Sequence, residues 1–351
     1  MASTKQSTII DTLPGLDVVT GITPINSRER LPKRISPSRA KDFDQCPRLF
    51  YYKTILGLPT PNTLATAKGT IAHTAFERLF DHPREDRTIS TGLSYVAPAW
   101  EVMINPLATR DSVEVGTPEE SIRNEGKKWR EDVAPGSVEE DRLLRHAKDY
   151  MALAPPGSDV ESTLLADASF AVENYFTIER PWNFDPVARE LHLEAETLGV
   201  SMHGFIDRLD KYTAPDGEER WVIADYKSGR APNPRYLDEA FFALKIYAVL
   251  FAATTKIVPY SLRLIYVTAE GKENAVKVLP VNQQLLDNTQ RKMKALWNNI
   301  KKSAREEVWD PKKGPLCGWC HFQDICPAFH PELKGLVNGA PEPVPTPRRR
   351  S

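Results

Sequence analysis

Apolar and polar residues alternate along two neighbouring stretches near the middle of the chain, and this alternation predicts a β-hairpin. The stretches HGFIDRLD and WVIADYK lie on either side of residues 215–217, which read P-D-G. A D-G pair between alternating runs is a strong signal for a hairpin turn. A hairpin centred on Asp216 makes Asp207 and Asp225 cross-strand neighbours, with Cβ atoms roughly 5 Å apart. The alternating stretch upstream, ARELHLEAETLGVSMHGF, predicts a second hairpin that leads into the Asp207 strand.

Helical spacing of apolar residues marks several segments around these strands. Ser36 and Pro37 are typical of an N-cap and a first helical residue. The stretch ATAKGTIAHTAFERLF and residues from about 117 to 178 also predict helices. The stretch YLDEAFFALKIYAVLFAATT is apolar nearly all round, which is typical of a buried helix, and SLRLIYVTA predicts one more strand. The mixture of elements predicts an α/β fold with a mixed sheet flanked by helices.

The segment NQQLLDNTQRKMKALWNNIKKSAREE predicts one long amphipathic helix. Four apolar side chains are predicted to face inward: Leu286, Met293, Trp297 and Ile300. The opposite face is basic and carries Arg291, Lys292, Lys294, Lys301, Lys302 and Arg305. A face of this kind is usually only solvated, but it could also steer a phosphate backbone. Both interpretations remain open.

Composition adds only broad limits. The 351 residues can bury a sizeable core, as one large domain or two smaller ones. The 46 basic and 47 acidic residues balance, so any nucleic-acid binding must depend on local patches. No run of about 18 apolar residues predicts a membrane span. The first residues lack the features of a secretory signal, so we expect a cytoplasmic protein.

The predicted hairpin brings together residues that suit phosphodiester hydrolysis. Two close carboxylates repel each other unless a cation lies between them. Lys227 follows Asp225 by two positions, so its ammonium leaves the strand on the same face as that carboxylate. Two acidic groups for a divalent cation and one ammonium to orient water or neutralise phosphate charge form a plausible hydrolytic site. The alternative is a surface ion-pair cluster, but D-x-K here ends an otherwise apolar strand.

The chain has four cysteines, at positions 46, 317, 320 and 326. In a reducing compartment, a disulfide framework is unlikely to form, and metal ligation becomes the competing explanation. The spacing C-x2-C-x5-C is formed by Cys317, Cys320 and Cys326. Three clustered thiols leave one position of a four-ligand metal site unfilled, and Cys46 could supply the fourth ligand. Zinc would accept four thiolates, and His321 could substitute for one of them.

Three motifs resemble those of the RecB-like exonuclease branch of the PD-(D/E)XK nuclease superfamily. They are G-T-x-x-H-x-x-x-E, which contains His73 and Glu77, then GFIDRLD, then ADYKSG. The resemblance implies that His73, Asp207 and Asp225 bind a cation, with the Tyr226 carbonyl completing its shell. It also implies that Lys227 positions the attacking water. Imidazole suits Mn²⁺ at least as well as Mg²⁺, so both cations remain open.

Other features of the resemblance concern the neighbouring elements. Relatives carry Q-x-x-x-Y on the helix after the D-x-K strand; Tyr247 fits as an assisting catalytic residue, but Ala243 replaces the glutamine. Glu77 is expected to support the ligands. In some relatives an acidic strand residue approaches the metal. Three residues could do so here: Glu190, Glu194 and Glu196. The simpler interpretation of the strand alternation is that all three face the solvent.

One early cysteine and three late ones resemble the iron-sulfur staple of AddB and of CRISPR-associated RecB-like nucleases. The resemblance implies a [4Fe-4S] cluster that ties the first helix to the last segment, with zinc as the alternative. It implies a restriction-endonuclease-like fold with a helical insertion at about 100–180. The implied activity is hydrolysis of DNA, most plausibly at single-stranded ends during repair or recombination. The alternative is a DNA-binding scaffold subunit whose nuclease site has decayed.

The resemblance also suggests boundaries. Residues 1–33 are predicted to be a flexible arm, residues 34–330 the nuclease domain, and residues 331–351 a disordered tail rich in proline and arginine. No G-x-x-x-x-G-K-[ST] motif occurs, so we expect any unwinding of DNA to come from a helicase or repair partner.

Overall fold

The computed structural model describes residues 26–109, 112–124 and 133–331. Two compact units make up the chain. The first comprises residues 1–61, 196–203 and 288–351, and the second comprises residues 62–195 and 204–287. Most of the predicted N-terminal arm and nearly all of the predicted C-terminal tail lie outside the described residues. None of the described helices is long and apolar enough to cross a membrane.

The secondary structure alternates between helical and extended blocks, as the sequence pattern predicts. The helices, in chain order, are α1 (Pro37–Gln45), α2 (Pro47–Phe50), α3 (Leu64–Leu79), α4 (Ile89–Leu93), α5 (Val96–Ile104), α6 (Pro118–Asn124), α7 (Val138–Leu153), α8 (Asp159–Ile178), α9 (Leu237–Ala240), α10 (Phe242–Thr255), α11 (Lys272–Ala275) and α12 (Gln283–Glu306). The strands are β1 (Ala188–Thr197), β2 (Val200–Thr213), β3 (Glu219–Lys227), β4 (Ser261–Tyr266) and β5 (Val276–Pro280).

The five strands form one sheet in the order β1-β2-β3-β4-β5. Strand β3 pairs antiparallel with β2 and parallel with β4, and β4 pairs antiparallel with β5. A parallel pair needs a long crossover connection, which the segment containing α9 and α10 supplies. The mixed sheet flanked by helices confirms the predicted α/β class. Strand β5 is an addition, since the sequence pattern did not predict it.

Both predicted hairpin turns form. Leu198 and Gly199 have φ angles of 51° and 73°, and Gly217 has a φ of 84°. Glycine tolerates this left-handed backbone without steric cost, which explains its place in both turns. In the β2–β3 ladder Arg208 lies opposite Ala224, so Asp207 and Asp225 occupy the next positions of the same register. The D-G pair therefore predicted the register correctly.

In the second unit, one face of the sheet packs on a helical core. Ala224 and Tyr226 belong to a single buried cluster with side chains of α3, α5 and α8. The ring of Phe76 lies 4.7 Å from the ring of Tyr226 and 4.8 Å from that of Tyr175. Because side chains alternate along a strand, Asp225 and Lys227 leave β3 on the other face. This alternation separates the polar side chains from the core.

The buried helix predicted from residue 236 onward is divided. Helix α9 ends at Ala240, and α10 begins at Phe242 and packs against β3 and β4. The break falls at Phe241, which has a φ of −76° and a ψ of 0°. The apolar pattern could not reveal it, because the residues on both sides of the break remain apolar.

In the first unit, an aromatic cluster surrounds Trp309. Its ring stacks on Phe50 at 5.8 Å and lies 6.3 Å from Phe43 and 5.6 Å from Tyr51. The Trp309 Nε1–H donates to Ser27 Oγ at 3.2 Å. These aromatic rings are buried, so they serve as core residues rather than as stacking platforms for bases.

Helix α12 is amphipathic, with one difference from the prediction. Leu286, Met293 and Ile300 are buried as predicted, but Leu296 is buried in place of Trp297, which is half-buried. The buried positions recur at spacings of three and four residues, and Trp297 lies at the edge of that stripe. The basic residues of the opposite face are all exposed.

Candidate active site

Asp207 lies in the middle of β2 and contacts β3 through its side chain. Its Oδ2 atom accepts a hydrogen bond from the Tyr226 backbone N–H at 3.0 Å. The side chain is only 17% exposed. This contact fixes the carboxylate beside the next strand, one position beyond the last paired residues of the β2–β3 ladder.

Helix α3 brings His73 to the same point. Its Nε2 atom lies 3.0 Å from the Tyr226 carbonyl oxygen, and its Nδ1 atom lies 3.5 Å from Asp207 Oδ2. A carbonyl oxygen only accepts, so Nε2 carries a proton in this contact. In the neutral ring, Nδ1 then carries a lone pair, and this lone pair faces a carboxylate oxygen of Asp207. A proton or a metal ion between these two atoms would remove the repulsion.

Gly69 lets this helix approach the end of β3. A β-carbon at that position would lie 2.9 Å from Ser228 Oγ, in the loop that follows Lys227. A reciprocal capping box at Thr63 and Thr66 starts the helix and fixes its first turn. The local sequence thus determines both where α3 begins and how closely it passes the D-x-K segment.

Glu190 completes a group of three potential metal ligands. Ligand atoms of His73, Glu190 and Asp207 all lie within 4.8 Å of one another. Glu190 is exposed and has a φ of 46°, in the left-handed region. Simple strand alternation assigned this residue to the solvent side. No feature of the sequence signals the left-handed backbone that redirects it.

Asp225 is buried and forms an ion pair with Lys227. Its Oδ2 atom lies 2.5 Å from Lys227 Nζ, and its side chain is 8% exposed. Beyond that ion pair, Oδ2 accepts no hydrogen bond from the described residues. Burial, and next the charge of Asp207, raise the pKa of Asp225 to about 6, although the Lys227 ammonium opposes the shift. Asp225 is not in the group of ligand atoms within 4.8 Å of one another.

We expect divalent-cation binding to weaken as the pH falls through about 6, the pKa of Asp225. Below this pH the metal-free protein holds a proton on Asp225, which a cation must displace. Calorimetric titration with Mn²⁺ between about pH 5 and 8 should show the affinity falling up to about tenfold per pH unit below the pKa. An affinity that stays constant over this range would contradict the assignment of Asp225 as a ligand.

The stability of the metal-free protein changes with pH in the opposite sense. The pKa of Asp225 in the folded protein lies above its ordinary value of 3.8. Its contribution to the free energy of unfolding is therefore fully present below 3.8 and is lost as the pH rises through about 6. The Asp225→Asn variant is the control for both measurements, because it cannot titrate at this position.

Tyr247 and Glu77 lie close to these carboxylates. Burial first, and then the charges of Asp225, Asp207 and Glu190, raise the pKa of the half-buried Tyr247 phenol. This hydroxyl therefore stays protonated and can donate a hydrogen bond. Glu77 Oε1 accepts a hydrogen bond from Arg78 Nη2 at 3.1 Å.

A groove of about 820 Å³ opens beside His73. Its walls come from α3, β1, β2 and the loop after β3, and they include Thr70, Glu77, Arg189, Glu190, Phe205 and Ser228. Phe205 is 50% exposed, and its ring lies 4.7 Å from that of His192. The groove thus offers a cation, an exposed aromatic ring and the metal-ligand candidates along one surface.

The four cysteines all lie in the first unit. Each sulfur atom accepts a backbone hydrogen bond: Lys312 N–H reaches Cys46 Sγ at 3.3 Å and Gly314 N–H reaches Cys317 Sγ at 3.4 Å. The remaining two donors are the N–H groups of Phe322 to Cys320 and of Ala328 to Cys326. Backbone N–H groups that point at sulfur favour the thiolate form, which is the form that binds metal.

The cysteines also influence one another electrostatically. Burial raises the pKa of Cys320 and of Cys326; the charges of the other three sulfurs raise that of Cys320 further, and those of Cys46 and Cys317 raise that of Cys326. The charge of Arg48 lowers the pKa of Cys326. Four thiolates that repel one another in this way need a cation to balance their charge, so this donor set fits a metal centre.

Comparison with known proteins agrees with this geometry. The model of the PD-(D/E)XK nuclease superfamily matches residues 34–327. No curated protein matches the chain significantly. Similar solved structures include two that cover 82% and 54% of this chain. One is a “Putative exonuclease” from Eubacterium rectale, with 9% identity, a TM-score of 0.39, and coverage of 82% of this chain and 87% of that chain.

The other similar structure is that of SSO0001, with 20% identity and a TM-score of 0.31. The match covers 54% of this chain and 78% of that chain. The family assignment depends on neither structure, because the superfamily model alone spans most of the chain, including every motif described above. This chain belongs to the PD-(D/E)XK nuclease superfamily.

Proposed function

We propose that this protein is a metal-dependent exonuclease of the RecB-like branch that hydrolyses single-stranded DNA from its ends. The observation that carries the proposal is the convergence of His73, Glu190 and Asp207 within 4.8 Å, next to the Asp225–Lys227 ion pair. A role in DNA repair or recombination follows from the resemblance to RecB and AddB.

His73, Glu190, Asp207 and Asp225 would hold a Mn²⁺ or Mg²⁺ ion, together with the Tyr226 carbonyl. Hard carboxylate oxygens and one imidazole suit either ion. The raised pKa of Asp225, caused by burial and by Asp207, indicates a charge pair that a cation would relieve. When bound, the cation supplies a Lewis acid for phosphodiester hydrolysis.

Lys227 is the residue that we assign to the attacking water. The Lys227 side chain is 39% exposed, and its ammonium lies 2.5 Å from Asp225 Oδ2. The ion pair therefore fixes the position of the ammonium, while the exposed part of the side chain remains accessible to substrate. From there it orients the water and offsets negative charge that develops on the phosphate. The protonated hydroxyl of Tyr247, whose pKa burial and the neighbouring carboxylates raise, is available as a hydrogen-bond donor to this site.

Replacing Glu190 with glutamine should weaken Mn²⁺ binding by about 10- to 100-fold, the usual effect of altering a metal-site partner. The amide keeps the size of the side chain but removes its charge. Calorimetric titration of the Glu190→Gln and Glu194→Gln variants measures the difference. Glu194 belongs to the same strand but lies outside the ligand group, so it is the matched control. Equal affinities for the two variants would exclude Glu190 as a ligand.

The groove beside His73 is the proposed path of the DNA strand. Phe205 offers an exposed ring on which a base can stack, and Arg189, which already pairs with Asp81 at 2.7 Å, would share its guanidinium with a phosphate. The exposed basic face of α12 is a second candidate contact for the phosphate backbone, although Lys292 there already pairs with Asp44 at 2.9 Å. Any unwinding of duplex DNA is assigned to a helicase or repair partner.

A degradation assay tests the proposed activity. Purified protein with Mn²⁺ should shorten linear single-stranded DNA, and labels at either terminus reveal the polarity. Circular single-stranded DNA of the same sequence is the control, since an exonuclease leaves it intact. Cleavage of the circle would show endonuclease activity, and no cleavage of either substrate would contradict the enzyme assignment.

A non-catalytic DNA-binding scaffold is the second candidate function. The observation that favours it is Ala243, which stands on α10 where relatives carry the assisting glutamine. A scaffold would bind single-stranded DNA without degrading it. Restoring the amide with the Ala243→Gln variant would then leave the protein inactive, whereas an enzyme limited only by this residue would become faster.

For the four cysteines we propose a [4Fe-4S] cluster, with zinc as the alternative. A zinc ion bonded to four sulfurs at about 2.3 Å brings every sulfur pair to roughly 3.8 Å. Among the described residues no three cysteine sulfurs lie within 4.8 Å of one another, so the preference for the cluster rests on the resemblance of the cysteine spacing to the iron-sulfur staple. The cluster would supply a structural link between Cys46 and the segment 317–326.

A further inference from the structure

Arg48 lies buried in the first unit without the partners that a buried charge requires. It follows Cys46 and Pro47 on α2, and it is only 4% exposed. Its Nε and Nη1 atoms are buried, and no described residue accepts a hydrogen bond from them. A guanidinium stays protonated in proteins, so a full positive charge and two N–H donors are unsatisfied. Such an arrangement costs free energy unless an anion compensates for it.

Aromatic rings hold this guanidinium against the cysteine-rich segment. Its central carbon lies 5.3 Å from the ring centre of Tyr51 and 5.7 Å from that of Tyr52. The Tyr52 hydroxyl donates to the Ile325 carbonyl at 2.8 Å, and its ring lies 5.1 Å from that of Phe322. The residues that contact Tyr52 are thus next to Cys326 and two positions from Cys320.

The two carboxylates at the end of the neighbouring helix α1 already have cationic partners. Asp42 pairs with Lys53 at 2.7 Å, and Asp44 pairs with Lys292 at 2.9 Å. Contacts with two aromatic rings offset only part of the free energy that burial of an ion costs. The compensating charge must therefore come from a group other than these side chains.

Four metal-bound thiolates would provide that charge. Four thiolates carry four negative charges, and either Zn²⁺ or an oxidised [4Fe-4S] core offsets two of them, which leaves a net charge of about −2. The sulfur atoms already accept four backbone N–H groups, and these donors carry no net charge. A buried cation beside them would balance part of the remaining charge.

We propose that Arg48 is the counter-cation of the four-cysteine metal site. Its buried guanidinium stabilises the metal-loaded thiolates and has no comparable partner when the metal is absent. The inference rests on the four-cysteine site proposed above and is independent of nuclease activity. It predicts effects of opposite sign: removal of the charge weakens the loaded form and does not weaken the metal-free form.

The test uses the full chain, purified without oxygen, as wild type and as the Arg48→Leu, Arg48→Lys and Arg39→Leu variants. Arg39 is an exposed arginine on the neighbouring helix α1 and is the matched control. Iron, sulfide and zinc contents are measured first. Next come the rate of metal loss to a chelator and the thermal midpoint of the metal-free protein.

We expect Arg48→Leu to lose its metal about 10- to 100-fold faster than wild type. Arg48→Lys, which keeps the charge, should lie between the two, and Arg39→Leu should match wild type. The metal-free midpoint of Arg48→Leu should equal or exceed that of wild type, because a buried unpaired charge has been removed. If the metal is an iron-sulfur cluster, its midpoint potential should fall, since reduction adds a negative charge.

Four results would overturn the proposal. Metal loss from Arg48→Leu at the wild-type rate would show that the charge is not needed. Equal rates for Arg48→Leu and Arg48→Lys, or a lower metal-free midpoint for Arg48→Leu, would show that Arg48 acts only through packing. A wild-type protein without bound metal would instead remove the four-cysteine site itself, whatever the outcome of the DNA assay.

Discussion

Replacing Lys227 with alanine is expected to slow DNA hydrolysis roughly 100- to 1,000-fold, as the loss of one charged group at a reacting phosphate does. Divalent-cation binding should remain, because Lys227 pairs with Asp225 but is not itself a ligand. Loss of the ammonium raises the pKa of Asp225 further, since its charge opposes that shift. The comparison therefore belongs at about pH 8, where Asp225 is ionised in both proteins.

The Lys211→Ala variant is the control for this measurement. Lys211 lies on the same hairpin and also pairs with a carboxylate, Glu219, at 2.8 Å. Its ion pair is exposed, so its removal should change neither turnover nor stability by much. Single-turnover hydrolysis of end-labelled DNA, with Mn²⁺ binding measured in parallel, separates chemistry from metal affinity. Turnover retained by Lys227→Ala would refute the role assigned to the lysine.

Replacing Cys320 with alanine is expected to remove the metal from the first unit and to destabilise it. The four cysteines join Cys46 near the start of the described chain to residues 317–326 near its end. Loss of this link should lower the thermal midpoint by roughly 10 °C or more, given about 2–4 °C per kcal/mol for a unit of this size. An iron-sulfur protein should also lose its brown colour. Calorimetry and the near-visible absorbance spectrum measure both effects.

The Trp319→Ala variant controls for substitution in this segment. Trp319 precedes Cys320 and is 80% exposed, so its removal should leave metal content and stability unchanged. A Cys320→Ala variant that keeps its metal and its midpoint would refute the four-cysteine site. A colourless wild-type protein that contains zinc, when purified without oxygen, would refute the cluster but would leave the nuclease assignment intact.

Much of the candidate active site could be predicted because short-range chemistry determines it. The D-G turn at residues 216–217 sets the β2–β3 register and places Asp207 and Asp225 at successive positions of one ladder. The capping box at Thr63 starts α3, and the helical period then determines which face carries His73 and Glu77. These signals act over a few residues, so the order of side chains along the chain is enough to read them.

The contacts that complete both sites depend on distant parts of the chain. A left-handed φ at Glu190 brings its carboxylate close to His73, and the neighbouring residues contain no signal that predicts this angle. Strand β5 is short and ends in proline, so only its pairing with β4 identifies it as a strand. The Arg48 guanidinium contacts the rings of Tyr51 and Tyr52 on the same segment, but its burial depends on the packing of Tyr52 with residues more than 270 positions away.

The amino-acid sequence by itself determined the α/β class, the two hairpins and the chemical identity of the metal-ligand candidates. Periodicity and turn chemistry are local properties, so they can be recognised in the sequence without knowledge of how the chain packs. The tertiary structure alone decided which of these groups meet: it joined Glu190 to His73 and Asp207, raised the pKa of Asp225 to about 6 through burial, and enclosed Arg48. Burial and convergence are properties of the packed chain, because each requires contacts between segments that are far apart in sequence.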